Sequence, residues 1–396
     1  MKRYIVAAAL AALISAAQSA EDWVASWQAS PHAAWGAQEF ALPTGVPEIL
    51  ERQTVRETAR ISAGGRRVRV VFSNRYGTQP LTIGEAHIAR ASESRTLTFG
   101  GQRSAVIPPG APLVSDALEM PVAALEKLAV SVYLPERTPL ATFHWGAQQT
   151  GYIAAGNQSA ATALSDAQPL HGRALLSGIW VDAAPAIGAG VVVAFGDSIT
   201  DGNGSTPDTD RRWPDYLAAR MPGAAVVNAG ISGARLLGDR MGVNAAARFE
   251  QDVLSQPGAR SVIVLMGIND IGWPQSLFAP HEAPMTAQRM IAAYRQLIAQ
   301  ARARKVRIIG ATLPPFEGTQ IEGYYTPAKD ALRREVNQWI RESKEFDAVA
   351  DMDALLRDRD HPSRMQQRYD SGDHLHPGDA GYEAMAAEAA RVLSRY

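Results

Sequence analysis

The run Val191-Val192-Val193-Ala194-Phe195, followed at once by Gly196-Asp197-Ser198-Ile199-Thr200, decides the fold of this chain. Five consecutive apolar residues lack the in-and-out alternation of a half-exposed strand, so they read as a strand covered on both faces. The signature recurs at Ala225-Val226-Val227, Ser261-Val262-Ile263-Val264-Leu265 and Val306-Arg307-Ile308-Ile309, and more weakly at Ala348-Val349-Ala350. Between these runs the apolar period is helical. Met290, Ile291, Tyr294, Leu297 and Ile298 share one face, as do Leu332, Val336, Trp339 and Ile340. Strands alternating with helices predict a three-layer α/β/α unit with a parallel sheet over residues 191–396.

The pattern upstream is different. Leu128-Ala129-Val130-Ser131-Val132-Tyr133-Leu134 alternates and stops at Pro135. Val68-Arg69-Val70-Val71-Phe72 alternates roughly, and Leu81-Thr82-Ile83 follows a Tyr76-Gly77 turn. Gly64-Gly65, Pro108-Pro109-Gly110 and Gly156-Asn157 punctuate these short runs. Residues 21–182 are therefore expected to form an antiparallel, jelly-roll-like β-sandwich. The small, uncharged stretch 183–190 reads as a linker.

Residues 1–20 read as a signal peptide: Lys2 and Arg3, a short apolar run over residues 4–14, then the small-residue site Ala17-Gln18-Ser19. That run is shorter than the ~20 residues of a membrane-spanning helix. The expectation is an exported protein, secreted or periplasmic, without stable membrane insertion. A formal charge of -1 favours neither nucleic acid nor an anionic membrane as partner. The absence of cysteine excludes disulfides and thiol chemistry. His32, His87, His144, His171, His281 and His361 are scattered with no HExxH spacing, which argues against zinc. There is no GxGxxG, no GxxxxGK[ST] and no GxSxG, so no nucleotide cofactor and no α/β-hydrolase elbow is indicated. No cofactor of any kind is expected.

Polar signals follow the proposed strands. Gly196-Asp197-Ser198 follows the first, Asn228-Ala229-Gly230-Ile231-Ser232-Gly233 the second, and Gly267-Ile268-Asn269-Asp270 the third. Asp373-His374-Leu375-His376-Pro377 lies beyond the fifth. Ligands of open parallel sheets bind at the carboxyl ends of strands, so these four segments should converge on one edge.

Taken together, GDSIT at Gly196, NAGISG ending at Gly233, GIND ending at Asp270 and DHLHP beginning at Asp373 resemble the four blocks of the SGNH/GDSL hydrolase superfamily, in that family's order. Ile199 stands where the family's nominal leucine would be. Trp23-Val24-Ala25-Ser26-Trp27 and Ser73-Asn74-Arg75-Tyr76-Gly77-Thr78 more loosely resemble the leading domain of a two-domain, acetylxylan-esterase-like branch. The resemblance implies ester hydrolysis through an acyl-serine intermediate. Ser198 would be the nucleophile, His376 its general base and Asp373 the carboxylate that orients the imidazole. It assigns the oxyanion donors to the backbone N–H groups of Ser198 and Gly233 and the side-chain amide of Asn269.

Plainer readings of the same residues stay open in sequence. Ser198 could cap a helix, Gly233 could serve an ordinary turn, Asn269-Asp270 could be a capping pair and His376-Pro377 a loop before a helix. His374 also lies near Asp373, but the family pattern Asp-x-x-His favours His376. Asp197 and Asp201 read as orienting the turn around Ser198, and Arg211-Arg212-Trp213-Pro214 as either cleft lining or a surface turn. The expected substrate is a small-molecule or polysaccharide ester, with an acetylated polysaccharide foremost. Alternatives are a general short-chain carboxylesterase, arylesterase or lysophospholipase, and, in another class, a glycan-binding protein with a degenerate hydrolase domain. The sequence does not specify an oligomeric state.

Overall fold

The computed structural model describes residues 23–36, 40, 42–91, 93–182, 188 and 190–395. The expected signal peptide and most of the expected linker lie outside the described residues. The uninterrupted apolar run becomes the strand Val191–Gly196, and every residue in it is buried. It pairs in parallel with Ala225–Gly230 on one side and Ala259–Leu265 on the other. Arg307–Ala311 and Ala348–Ala350 extend the sheet beyond Ala259–Leu265. The first strand in sequence is thus interior, and the chain winds outward from it in both directions. A crevice forms where that winding reverses, at the carboxyl ends of the first and third strands. Gly196 is level with Gly230 and with Leu265, so the segments that follow these strands emerge at one edge.

The helical periodicity in the sequence has its counterpart in two long helices. Thr286 caps Ala287–Ala303, accepting from Arg289 N–H, and Met290, Tyr294, Leu297 and Ile298 are buried along one face. Thr326 caps Pro327–Glu342 in the same way, with proline at the first helical position, where its missing N–H costs nothing. These two helices pack on each other. A second group joins Trp213–Arg220 to Asp379–Leu393.

Residues 23–182 are antiparallel throughout. Gly65–Ser73 pairs with Leu176–Asp182, Pro112–Val114 and Leu118–Val122, and Leu176–Asp182 pairs on its other edge with Trp23–Gln28. A second sheet has Gln53–Arg60 and Lys127–Leu134 at its centre. In Lys127–Leu134 the apolar set predicted by sequence, Leu128, Val130, Val132 and Leu134, is buried, and Ser131 between them is enclosed as well. The antiparallel and parallel parts touch directly. Trp23–Gln28 packs on Ala225–Gly230, and Ser62 Oγ accepts from Val226 N–H at 2.9 Å. Among the described residues no helix is long and apolar enough to cross a membrane.

Candidate active site

Ser198 begins a single helical turn, Ser198–Asp201, directly after the first parallel strand. Asp197 caps that turn by accepting from Ile199 N–H at 3.1 Å. The Ser198 N–H, at the first helical position, has no carbonyl partner within the turn. The buried Arg248 fixes the strand ends beneath, donating to Gly196 O and Ala229 O at 2.8 Å each and pairing with Asp252 at 2.9 Å.

His376 lies before the helix Asp379–Leu393 and reaches back across the edge. Its Nε2 is 2.8 Å from Ser198 Oγ and its Nδ1 is 2.5 Å from Asp373 Oδ2. The other Asp373 oxygen accepts from the backbone N–H groups of Leu375 and His376, at 2.9 and 2.8 Å. Partial burial works to raise the Asp373 carboxyl. The hydrogen bond and charge of His376 and the two backbone donors outweigh it, and hold the group well below the usual carboxylate range. Asp373 is thus an anion fixed on one ring nitrogen, leaving the other nitrogen to take a proton from Ser198.

His374 is directed elsewhere. It stands in the left-handed region at φ 61°, and its Nδ1 meets Asp370 Oδ2 at 2.6 Å. The structure thus contains two His–Asp pairs a few residues apart, and of these only the His376 pair contacts Ser198 Oγ.

Gly233 sits between two anchored neighbours. Ser232 is bonded through its N–H and Oγ to Asp201 Oδ2, at 2.9 and 2.6 Å. Ala234 O accepts from Asn269 Nδ2 at 3.0 Å. Gly233 has φ 75°, and a Cβ there would run into the Met241 sulfur, so conformation and space both call for glycine. Among the described residues its N–H has no acceptor.

Asn269 is held by groups the sequence did not reveal. Its Oδ1 accepts from Trp273 Nε1 at 3.1 Å and from the Tyr324 hydroxyl at 2.7 Å. An indole N–H only donates and the Ala234 carbonyl only accepts, so both ends of the amide are assigned by chemistry. The second Nδ2 hydrogen has no acceptor among the described residues. Asp270, next in sequence, accepts from Leu236 and Leu237 N–H at 2.6 and 3.0 Å, gripping the loop beyond Gly233. Burial pushes Asp270 up to about 6, and Asp197, with one oxygen buried and unpartnered, up to about 7. Both serve as backbone acceptors that shape the turns.

The Arg211–Pro214 segment does not line the cleft as a unit. Arg212 is buried against Asp215 and Trp213 is fully enclosed, while Arg211 pairs at the surface with Asp379.

The segment 194–384 matches the model of the GDSL-like Lipase/Acylhydrolase family. Solved structures similar to this chain include a GDSL-like lipase from Bacteroides thetaiotaomicron VPI-5482. It is 20% identical, with a TM-score of 0.39, covering 52% of this chain and 88% of that one. A carbohydrate acetylesterase from Sinorhizobium meliloti is 16% identical (TM-score 0.39, 51% of this chain, 96% of that one). An aryl esterase of M. smegmatis is 16% identical (TM-score 0.40, 51% and 96%). Likenesses at these scores carry nothing about substrate. A comparison with curated proteins found no match. On the family match, residues 194–384 of this chain belong to the GDSL-like lipase/acylhydrolase family of ester hydrolases.

Proposed function

We propose that the protein is an exported serine esterase that removes acetyl groups from carbohydrates. The observation that carries the mechanism is the continuous chain from Asp373 through His376 to Ser198 Oγ, at 2.5 and 2.8 Å. Ser198 Oγ attacks the ester carbonyl carbon while His376 Nε2 takes its proton. The carbonyl oxygen becomes an oxyanion facing the N–H groups of Ser198 and Gly233 and the free amide hydrogen of Asn269. Collapse breaks the bond to the alcohol oxygen, which leaves with the proton from His376. Water, deprotonated by the same imidazole, then cleaves the acyl-serine. Asp373 stabilises the imidazolium in both halves.

A cavity of about 450 Å³ supports a carbohydrate on the alcohol side. It is lined from the antiparallel part by Thr44, Trp145, Gln148, Gln149 and His171, and from the parallel part by Asn203 and Gly204. Asn203 follows the Ser198 turn, its N–H donating to Ser198 O at 3.0 Å. An aromatic ring among amides and a hydroxyl suits a sugar's apolar face and hydroxyl rim.

The test compares wild type and Ser198→Ala on an aryl acetate, on aryl esters of longer acyl chains and on acetylated xylo-oligosaccharides. Turnover confined to acetyl esters, strongest on the oligosaccharides and lost in the variant, is expected. Retention of a substantial share of kcat by Ser198→Ala would refute the serine mechanism. A preference for long acyl chains would replace the carbohydrate reading with that of a general carboxylesterase. A wild type that binds glycans without turnover would make it a binding protein.

A further inference from the structure

The turn after Ser198 is gripped by a loop from the antiparallel part of the chain. His144, in that loop, is buried. Its Nδ1 lies 2.9 Å from Ser30 O and its Nε2 lies 2.9 Å from Asp201 Oδ1. A carbonyl and a carboxylate accept, so the ring is held between two acceptors, one on each nitrogen. Burial alone would raise the Asp201 carboxyl. The charge and hydrogen bond of His144, with the bond from Ser232, hold it below its ordinary range. The neighbouring His32 is different: its Nε2 accepts from Trp145 N–H at 3.0 Å, and burial, with the charge of His144, pushes it down to about 3. Of the two adjacent imidazoles, His144 is the one that faces Asp201.

Asp201 passes the constraint on. Its Oδ2 accepts from both Ser232 N–H and Ser232 Oγ, at 2.9 and 2.6 Å, and Ser232 is bonded to Gly233. Two further contacts come from the same loop. A Cβ on Gly146 would run into Asp201 Oδ2 and Ser232 Oγ, so the backbone lies flush against the pair. Gln148 Nε2 donates to Asn203 Oδ1 at 3.1 Å. Residues 144–148 therefore press on the segments after the first and second parallel strands at once. Nothing in the proton path from Ser198 to Asp373 uses them.

We propose that His144 is a positioning residue for the esterase reaction: through Asp201 and Ser232 it aims the Gly233 N–H at the developing oxyanion. The inference rests on the esterase reading above. It gives the antiparallel part of the chain a share in the chemical step, beyond lining the cleft. His144 touches no substrate, and its effect belongs to kcat.

The test uses the full chain and an aryl acetate, with phenylboronic acid as a tetrahedral mimic that adds to Ser198. A misplacement of about 1 Å costs about 100-fold in rate, and His144→Ala is expected to lower kcat by that order with little change in KM. Boronate affinity should fall with kcat. His144→Gln keeps one donor toward Asp201 and should recover part of the loss. Gly146→Ala, which parts the contact by crowding, should lower kcat in the same direction. Combined with Asn269→Ala, the His144→Ala loss should be less than multiplicative, because both act on one oxyanion. A folded His144→Ala or Gly146→Ala enzyme with wild-type kcat and boronate affinity would overturn the proposal. Should His144→Ala fail to fold, His144→Gln and Gly146→Ala are read by the same criterion. Ser198→Ala, run alongside, separates the two failures. Activity there refutes the esterase reading, whereas an inactive Ser198→Ala beside fully active His144 variants refutes only the positioning role.

Discussion

Tyr324→Phe tests whether the Asn269 amide is set by its partners. The hydroxyl donates to Asn269 Oδ1 at 2.7 Å, and both residues are buried. Burial pushes the Tyr324 hydroxyl well above its ordinary value, so it remains a donor throughout the working range. Phenylalanine keeps the ring and removes only that donor, leaving Trp273 to hold Oδ1 alone. A hydrogen bond of this kind contributes about 1 kcal/mol net, which as lost transition-state stabilisation is about 5-fold in kcat. Asn269→Ala removes the proposed oxyanion donor itself and should cost about 100- to 1000-fold. In the Asn269→Ala background Tyr324→Phe has no amide left to orient, so its effect on kcat should vanish. Steady-state kinetics on an aryl acetate for the four members of the cycle, with thermal unfolding alongside, gives the answer. An equal loss from Tyr324→Phe in both backgrounds would refute the clamp and assign the tyrosine to general stability.

Two further outcomes follow from the geometry. His376→Ala should lose several orders of magnitude in kcat, whereas His374→Ala, which removes only a partner of Asp370, should lose far less; a reversed ranking would move the base to position 374. Asp197 titrates near 7 in the fold against about 4 unfolded, so its stabilising contribution is complete below about pH 4 and is lost as pH rises through about 7. Asp197→Asn keeps the acceptor for Ile199 N–H without that titration, and should flatten the fall in melting temperature between pH 5 and 8; an unchanged slope would show that Asp197 is ionised throughout.

The parallel sheet was legible because its strands are buried on both faces, which leaves a mark that needs no knowledge of partners. Gly196-Asp197-Ser198 and Gly267-Ile268-Asn269-Asp270 were legible because each sits directly after such a strand. His376 was separable from His374 by the Asp-x-x-His pattern, but the physical reason, that Asp370 engages His374, is a pairing no local spacing announces. Of the residues missed, Trp273 reaches Asn269 from only four positions further along the chain, whereas Tyr324, His144 and Arg248 act across long separations in sequence. Trp273 and Tyr324 carry no local mark of a polar role, and His144 read only as one of several scattered histidines. Its partner Asp201 is in another sheet system, and nothing in either neighbourhood marks the other. Arg248 was hidden likewise: a single arginine among apolar residues gives no sign that it binds the carbonyls of Gly196 and Ala229.

The interior place of Val191–Gly196 in the sheet has a consequence for the order of assembly. Both its neighbours, Ala225–Gly230 and Ala259–Leu265, come later in the chain, and the imidazole that meets Ser198 is 178 residues further on. Contacts of that separation close against a large loss of chain entropy, which slows folding. A partly folded chain can hold Ser198 at its strand end and still lack both the base and the amide of Asn269. Competence therefore belongs to the whole unit: Ser198, Asn269 and the segment before the last helix must all be in place before the proposed chemistry can run.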